Sequence, residues 1–235
     1  MKRKALLCAV LCASVALAAS SCTMPETERF SINTSVLEVY DAESFIAKFP
    51  SAVIGQYPDM TIELNGGAAE AADGRNAYKF IYSLKDILGI SDPYAQLRYK
   101  GSSISEETKI FEFHQYIGKT EIFNNIITVV TAENNIISVT STFDSDNPEA
   151  LSEMKHTLTH CFDEACSFIR SEYGANVLDA FINNPQTGMY RTDSGYIAAY
   201  RFGVITGEKE YVCVVDANSG ASECTEIKNT NNEKA

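Results

Sequence analysis

The stretch FEFHQYIGKTEIFNNIITVVTAENNIISVTSTF, residues 111–143, decides the fold because it predicts consecutive β-strands separated by polar turns. Apolar and β-branched residues predict strands at Ile110–Ile117 and Asn124–Thr131. A turn is expected at Asn134-Asn135, since asparagine tolerates positive φ. The last strand alternates between an apolar face and a hydroxyl face: Ile137, Val139 and Phe143 against Ser138, Thr140 and Thr142. This period of two predicts an antiparallel sheet with one covered face.

The residues before this sheet predict the elements that pack on it. Asn76–Leu88 carries apolar residues at helical spacing, and we expect this helix to cover the sheet. The segments SVLEVY (35–40) and MTIEL (60–64) predict strands. Between them, DAESFIAKF (41–49) predicts a short helix.

The second half of the chain repeats this order of helix and strands. A helix is expected from near Glu149 to Tyr173-Gly174, with an apolar stripe of Leu151, Met154, Leu158, Cys161, Phe162, Ala165, Phe168 and Ile169. Strands are expected after it at Met189–Thr192, Tyr196–Val204 and Glu210–Val215. The sequence therefore predicts an α+β fold of two consecutive small units, 35–145 and 146–228, each an antiparallel sheet packed by a helix. One shared core is the alternative.

The N-terminus predicts export. Residues 1–21 combine a basic start, an apolar run and small residues, as a secretory signal peptide does. The segment Ala19-Ser20-Ser21-Cys22 is similar to a relaxed bacterial lipobox, which would make Cys22 the lipid-bearing first residue of a cell-envelope lipoprotein in the periplasmic or surface leaflet. The alternative is a soluble periplasmic or secreted protein without lipid on Cys22. Polar segments predict a tether at 22–34 and a frayed tail at 229–235.

Charge excludes one class of partner. The formal net charge of the chain is −12, and it becomes −15 once the signal's Lys2, Arg3 and Lys4 are removed. A surface of this sign repels nucleic-acid backbones, so we expect no nucleic-acid partner. Contact with the membrane is expected only through lipid on Cys22.

Cysteine use fits an oxidising compartment. Cys161, Cys166, Cys213 and Cys224 remain in the body of the chain, an even number that permits disulfides. Cys213 and Cys224 flank the turn in CVVDANSGASEC and are positioned to face each other across a hairpin. Cys161 and Cys166 point apart on the predicted helix, so a bridge between them would strain it. Four buried free thiols are the alternative.

Catalytic motifs are absent from the sequence. His156 and His160 stand at i and i+4, the spacing of the zinc-binding pair in H-E-x-x-H, but Thr157 occupies the place of the general-base Glu. A surface zinc could bind this pair; two solvated helix residues are the simpler interpretation. His114 is interpreted as a packed strand residue. We therefore predict no enzyme activity, no metal and no cofactor.

The end of the chain resembles a PepSY domain. In YRFGVITGEKEYVCVVDANSGAS (200–222), two strands lead into a turn formed by Asp216, Ala217, Asn218, Ser219 and Gly220. The opening stretch is similar to the fungalysin/thermolysin propeptide domain, with Gln115-Tyr116 in its first strand and Ile122-Phe123 as the apolar pair after the turn. The order of the two domains also matches. Three positions depart from the pattern: Gly118 is offset by about one residue, Glu121 replaces a proline, and Tyr200 stands where tryptophan is common.

The resemblance implies a free-standing pro-domain, because the long zinc peptidase domain of such precursors does not follow. We therefore expect an exported, non-catalytic protein that inhibits, or assists the folding of, a separately encoded zinc metallopeptidase. The alternative is a lipid-anchored envelope module that uses the same fold to bind another protein. A third hypothesis is a degenerate enzyme that uses the His156 and His160 face.

Overall fold

The computed structural model describes two compact units of mixed α and β structure, one within residues 28–119 and 124–145 and the other within 120–123 and 153–227. The residues described within them are 28–55, 59–65, 69–105, 107–145, 153–207 and 209–227. The predicted signal peptide (1–21), Cys22 and the predicted tail (229–235) lie outside the described residues.

The first unit is built on a sheet with the strand order β1-β2-β6-β5-β4-β3. Its strands are β1 (Ala52–Gly55), β2 (Met60–Leu64), β3 (Leu97–Ser105), β4 (Thr108–Ile117), β5 (Thr120–Ala132) and β6 (Asn135–Ser141). The strands expected at 60–64, 110–117 and 124–131 are present, whereas β1 and β3 were not expected. The first four residues of β5, Thr120–Phe123, belong to the second unit.

Three helices of the first unit each begin at an aspartate whose side chain caps them. They are α1 (Ala42–Lys48) after Asp41, α2 (Gly74–Ser83) after Asp73, and α3 (Pro93–Gln96) after Asp92. Helix α2 buries an apolar face in the same core as the sheet, through Ala77, Tyr78, Phe80 and Ile81. The prediction that this helix packs in the sheet's core is confirmed. It ends earlier than expected, because tighter turns follow Ser83 and lead to Gly89 in the left-handed region.

The cap of α1 gives a first testable prediction. The Asp41 carboxylate accepts a hydrogen bond from the Ser44 backbone N–H, and the Ser44 hydroxyl accepts one from the Asp41 N–H, which forms a reciprocal capping box. The Ser44 hydroxyl also donates to the Asp41 carboxylate at 2.7 Å, and this bond first, and then the one from the Ser44 N–H, lowers the pKa of Asp41. Replacing Asp41 with alanine is expected to cost about 1 kcal/mol of unfolding free energy. The urea midpoint measures it, and Asp41→Asn, which keeps a capping side chain, is expected to lose much less.

The N-terminal part of this unit corrects two predictions. The expected strand at 35–40 is instead a 3₁₀ turn, Thr34–Val36, because the Asn33 side chain accepts a hydrogen bond from the Ser35 N–H. The expected tether at 22–34 is wrong for its described part, residues 28–34, which packs on the first unit. Glu28 pairs with Tyr99 through two backbone hydrogen bonds, and Phe30 is buried in the core.

Strand β6 corrects the expected alternation. The core side chains of this strand are Ile136 and Val139, three residues apart, rather than Ile137 and Val139. The cause is a bulge: Val130 pairs with Ser138 and Thr131 with Ile136, which leaves Ile137 as the extra residue. The positive φ values of the preceding turn are at Glu133 and Asn134, one position earlier than expected.

The second unit joins one long helix to a sheet. Its helix is α4 (Leu158–Tyr173), and its strands are β7 (Phe181–Thr192), β8 (Gly195–Thr206), β9 (Lys209–Asp216) and β10 (Ser222–Ile227). The order is the start of β5, then β7-β8-β9-β10. Neighbours are antiparallel, except that Glu121 and Ile122 of β5 pair in parallel with Gly188 and Met189.

Helix α4 ends as expected but begins later. Gly174 caps its C-terminus with a φ of 62°, and Cys161, Ala165 and Ile169 of the predicted stripe lie in the core. Residues 153–157 are not helical, so a start near Glu149 is wrong for the described part of that segment. The reason is local: Thr157 caps the helix through its hydroxyl, and the backbone N–H groups of Lys155 and His156 bond to the β9–β10 turn.

Candidate functional site

The residues of the propeptide-like motif in β4 hold the first unit together. Gln115 is buried, and its amide donates to the Asp144 carbonyl at 2.8 Å. Its amide oxygen accepts hydrogen bonds from the Asn125 side chain at 2.8 Å and from the Asp144 N–H at 3.1 Å. Gln115 therefore fixes the chain that leaves β6, which is a structural role.

The neighbouring Tyr116 packs on a buried cation. The Arg98 guanidinium lies 5.1 Å from the centre of the Tyr116 ring. Arg98 donates to the carbonyls of Tyr94, Ala95, Leu97 and Gly118, at 2.7 to 3.2 Å. These carbonyls replace the water that a buried guanidinium loses.

The apolar pair Ile122-Phe123 lies inside the second unit. Both side chains are buried. The Arg201 guanidinium lies 5.9 Å from the Phe123 ring centre and 3.8 Å from the Glu121 carboxylate. Glu121 therefore pairs with a cation of β8.

The PepSY-like turn between β9 and β10 is closed by its own aspartate. The Asp216 carboxylate accepts from the Asn218 N–H at 2.8 Å and from the Ser219 hydroxyl at 2.5 Å. Gly220 has a φ of 77° and donates its N–H to the Asp216 carbonyl. Ala217 is fully buried and bonds to the Ala198 carbonyl. The motif residues build this turn rather than a reactive group.

The candidate metal pair lies beside this turn, in a different arrangement from the one expected. His156 precedes α4, so the two histidines do not share a helix face, yet their ring centres are 4.2 Å apart. The His160 imidazole lies 3.8 Å from the Glu164 carboxylate. Among the described residues, no group of three or more His, Cys, Asp or Glu side chains could hold a metal ion.

The other candidates also lie in structural positions. His114 is buried and bonds to the Glu112 carboxylate two residues before it. The predicted disulfide Cys213–Cys224 is present, and it joins directly opposed residues of β9 and β10. Cys161 and Cys166 are free thiols, and burial raises the pKa of both.

The edge of a sheet can take up another chain, but several of the edges in the described residues are blunted. Strand β1 has only four residues. The outer half of β7 is broken by a bulge between Asn183 and Gln186 around Pro185. On β10, the Tyr173 hydroxyl already donates to the Cys224 carbonyl at 2.7 Å.

The outer half of β3 is different. From Gly101 to Ser105 its register with β4 is unbroken, and among the described residues no strand pairs with its other side. Ile104, in this half, is 77% exposed. A regular, exposed edge that carries an apolar side chain is a template for strand pairing. The sequence analysis missed it because GSSIS has the composition of a loop.

Comparisons with known proteins add little to the description of these sites. No family model matches the chain, and no curated protein matches it. Among solved structures, the Bacillus megaterium YpeB C-terminal domain is similar at 12% identity and a TM-score of 0.43, over 91% of this chain and 94% of that one. Within the described residues, no helix is both long and apolar enough to span a bilayer.

Proposed function

We propose that this protein is an exported, non-catalytic, pro-domain-like protein that binds a separately encoded zinc metallopeptidase and inhibits it or assists its folding. The observation that carries the proposal is the open edge at Gly101–Ser105 of β3. The sequence resemblance to a propeptide domain followed by a PepSY domain supplies the class of partner. Lipid on Cys22 would hold the protein at the cell envelope.

Strand addition explains how such an edge would bind a peptidase. Main-chain N–H and C=O groups of an edge strand pair with an extended segment and supply affinity, while alternate side chains supply specificity. The exposed Ile104 side chain would be covered by the added segment. Covering one isoleucine contributes about 1.5–3 kcal/mol, which corresponds to a factor of about ten or more in affinity.

A second candidate function rests on a different surface. In the second unit, Leu178 is 83% exposed and Phe181 is 55% exposed, three residues apart. Exposed large apolar side chains close together in sequence favour a protein-binding surface. This observation favours an envelope module whose partner is not a peptidase.

Inhibition assays distinguish the two candidates. The mature protein, without residues 1–21, is titrated against each zinc metallopeptidase purified from its own cell, and hydrolysis of a peptide substrate is followed. We expect tight inhibition, or improved refolding yield, of at least one. The variant Ile104→Lys is expected to weaken that effect about tenfold or more, because a charge on an edge strand opposes pairing.

The control is Val53→Lys on β1, the other edge of the same sheet, where valine is 53% exposed. It changes the same kind of side chain and is expected to leave the effect unchanged. If no metallopeptidase of the cell is bound, inhibited or helped to fold, the peptidase proposal fails. Loss of binding to another envelope protein in Leu178→Ser and Phe181→Ser would then favour the second candidate.

A further inference from the structure

A pocket of about 230 Å³ opens in the first unit and is lined mainly by aromatic rings. Phe30 and Tyr78 are buried at this pocket, and their ring centres are 5.8 Å apart. Tyr82 and Tyr94 line it from α2 and α3, and Tyr94 is 50% exposed. Three separate segments of the chain therefore meet at one apolar depression.

Two arginines lie over rings of this pocket. The Arg75 guanidinium is 5.3 Å from the centre of the Phe30 ring, and the Arg29 guanidinium is 5.6 Å from the centre of the Tyr94 ring. Arg75 also donates through Nη1 to the Ser31 carbonyl at 2.9 Å. A guanidinium carries five N–H donors, so this bond uses one of those on Arg75. Both arginines are exposed to solvent.

This arrangement selects the charge of a ligand. Faces of aromatic rings attract cations, but two ring faces here are already occupied by arginines of the same chain. An anion is attracted by the same two arginines, because guanidinium groups bind carboxylates through paired hydrogen bonds. The two arginines are cations in a chain whose formal net charge is −12.

We propose that this pocket binds the C-terminal residue of a peptide or protein, with an aromatic side chain among the rings and the terminal carboxylate paired with the guanidinium groups of Arg29 and Arg75, which lie over two of those rings. This site is separate from the β3 edge, and it does not require a peptidase partner.

The size and exposure of the pocket favour a chain terminus over a free small molecule. Sites for drug-sized ligands have volumes of about 300–1,000 Å³ and enclose most of the ligand. A pocket of 230 Å³ with a half-exposed tyrosine in its wall suits one side chain of a longer ligand. The rest of the ligand would remain in solvent.

One nearby charge opposes an anion and makes the proposal sharper. Asp92 caps α3 by accepting from the Ala95 N–H. This helix carries Tyr94 of the pocket wall, and burial first, and then the charge of Asp92, raises the pKa of the Tyr78 phenol. Removing the Asp92 charge should therefore tighten binding of a carboxylate, whereas removing a guanidinium should weaken it.

Fluorescence of a peptide tests the proposal directly, because the protein contains no tryptophan. The probe is an acetylated four-residue peptide that ends in tryptophan with a free carboxylate, titrated with the mature protein. We expect saturable binding that weakens about tenfold when the carboxylate is replaced by an amide. N-acetyltryptophan carries the same side chain and carboxylate, so it is expected to bind about as tightly as the peptide.

Variants separate binding from folding. Arg29→Gln and Arg75→Gln are each expected to weaken binding of the carboxylate peptide, while Asp92→Asn, which keeps a capping side chain, is expected to strengthen it. Lys48→Gln, an exposed cation of α1 in the same unit, is the control and should change nothing. Equal binding of the amide, or absence of binding, would each overturn the proposal. Because Asp92→Asn should act in the opposite direction, partial unfolding of an arginine variant cannot imitate the full pattern.

Discussion

Replacing Gly188 with valine is expected to destabilise the second unit by about 3 kcal/mol. A Cβ atom at this position would lie 2.6 Å from the Glu121 carbonyl oxygen and 2.6 Å from Cζ of Phe123. The carbonyl belongs to the backbone of β5 at its parallel pairing with β7, so it cannot move away as a flexible side chain could. The larger valine must therefore separate the two strands or displace the buried Phe123 ring.

The measurement for Gly188→Val is the urea midpoint, together with hydrogen exchange of the β7 and β8 amides to locate the loss in this unit. Gly55→Val is the matched control, because Gly55 also lies in a strand and its added Cβ meets nothing closer than 3.7 Å. The control is expected to be neutral or slightly stabilising, since valine favours strands. An unchanged midpoint in Gly188→Val would mean that the start of β5 does not pair with β7 in solution.

The sequence was sufficient to predict an element where its local pattern and its tertiary packing favour the same conformation. Helix α4 ends at the residue expected, because Gly174 adopts the left-handed conformation that terminates a helix. Strands β2, β4 and β5 follow from their apolar and β-branched residues. The disulfide followed from two cysteines that flank a turn built by Asp216 and Gly220.

The sequence was insufficient to predict an element where a strand distant in sequence determines the local conformation. Residues Phe181–Gln186 include two asparagines and a proline, and their strand depends on pairing with β8, which spans the bulge at Asn184-Pro185. The alternation in β6 is reset by a bulge whose position depends on the register with β5. Strand β10 is polar and short, so nothing in SECTEI alone distinguishes it from a loop.

The candidate sites show the same limit. The aromatic pocket joins Phe30, Tyr78 and Tyr94, which are up to 64 positions apart in sequence. Phe30 and Ile32 are apolar residues in a segment interpreted as a polar tether. They were the sequence feature that could have indicated a packed segment there. The β3 edge depends on which strands pair, so composition could not have identified it.

Removing the disulfide with the double variant Cys213→Ala/Cys224→Ala is expected to cost about 3 kcal/mol of unfolding free energy. The bond closes a loop with a sequence separation of 11, and its loss returns conformational entropy to the unfolded chain. The loss should be concentrated in β10, a six-residue strand at the end of the strand order of its unit. Without the bond, β10 is held by its pairing with β9, its contacts with α4 and the hydrogen bond from Tyr173 to Cys224.

Hydrogen exchange and the urea midpoint, each with and without reductant, test this expectation. In the wild-type protein, both cysteines are buried, so a reductant reaches the bond only after β10 opens. Early loss of protection in the β10 amides, before those of β8, is therefore expected on reduction. Cys166→Ala, which removes a free and only partly buried thiol, controls for loss of a cysteine as such. A double variant as stable as the oxidised wild type would mean that the pairing with β9, the contacts with α4 and the Tyr173 hydrogen bond hold β10 without the disulfide.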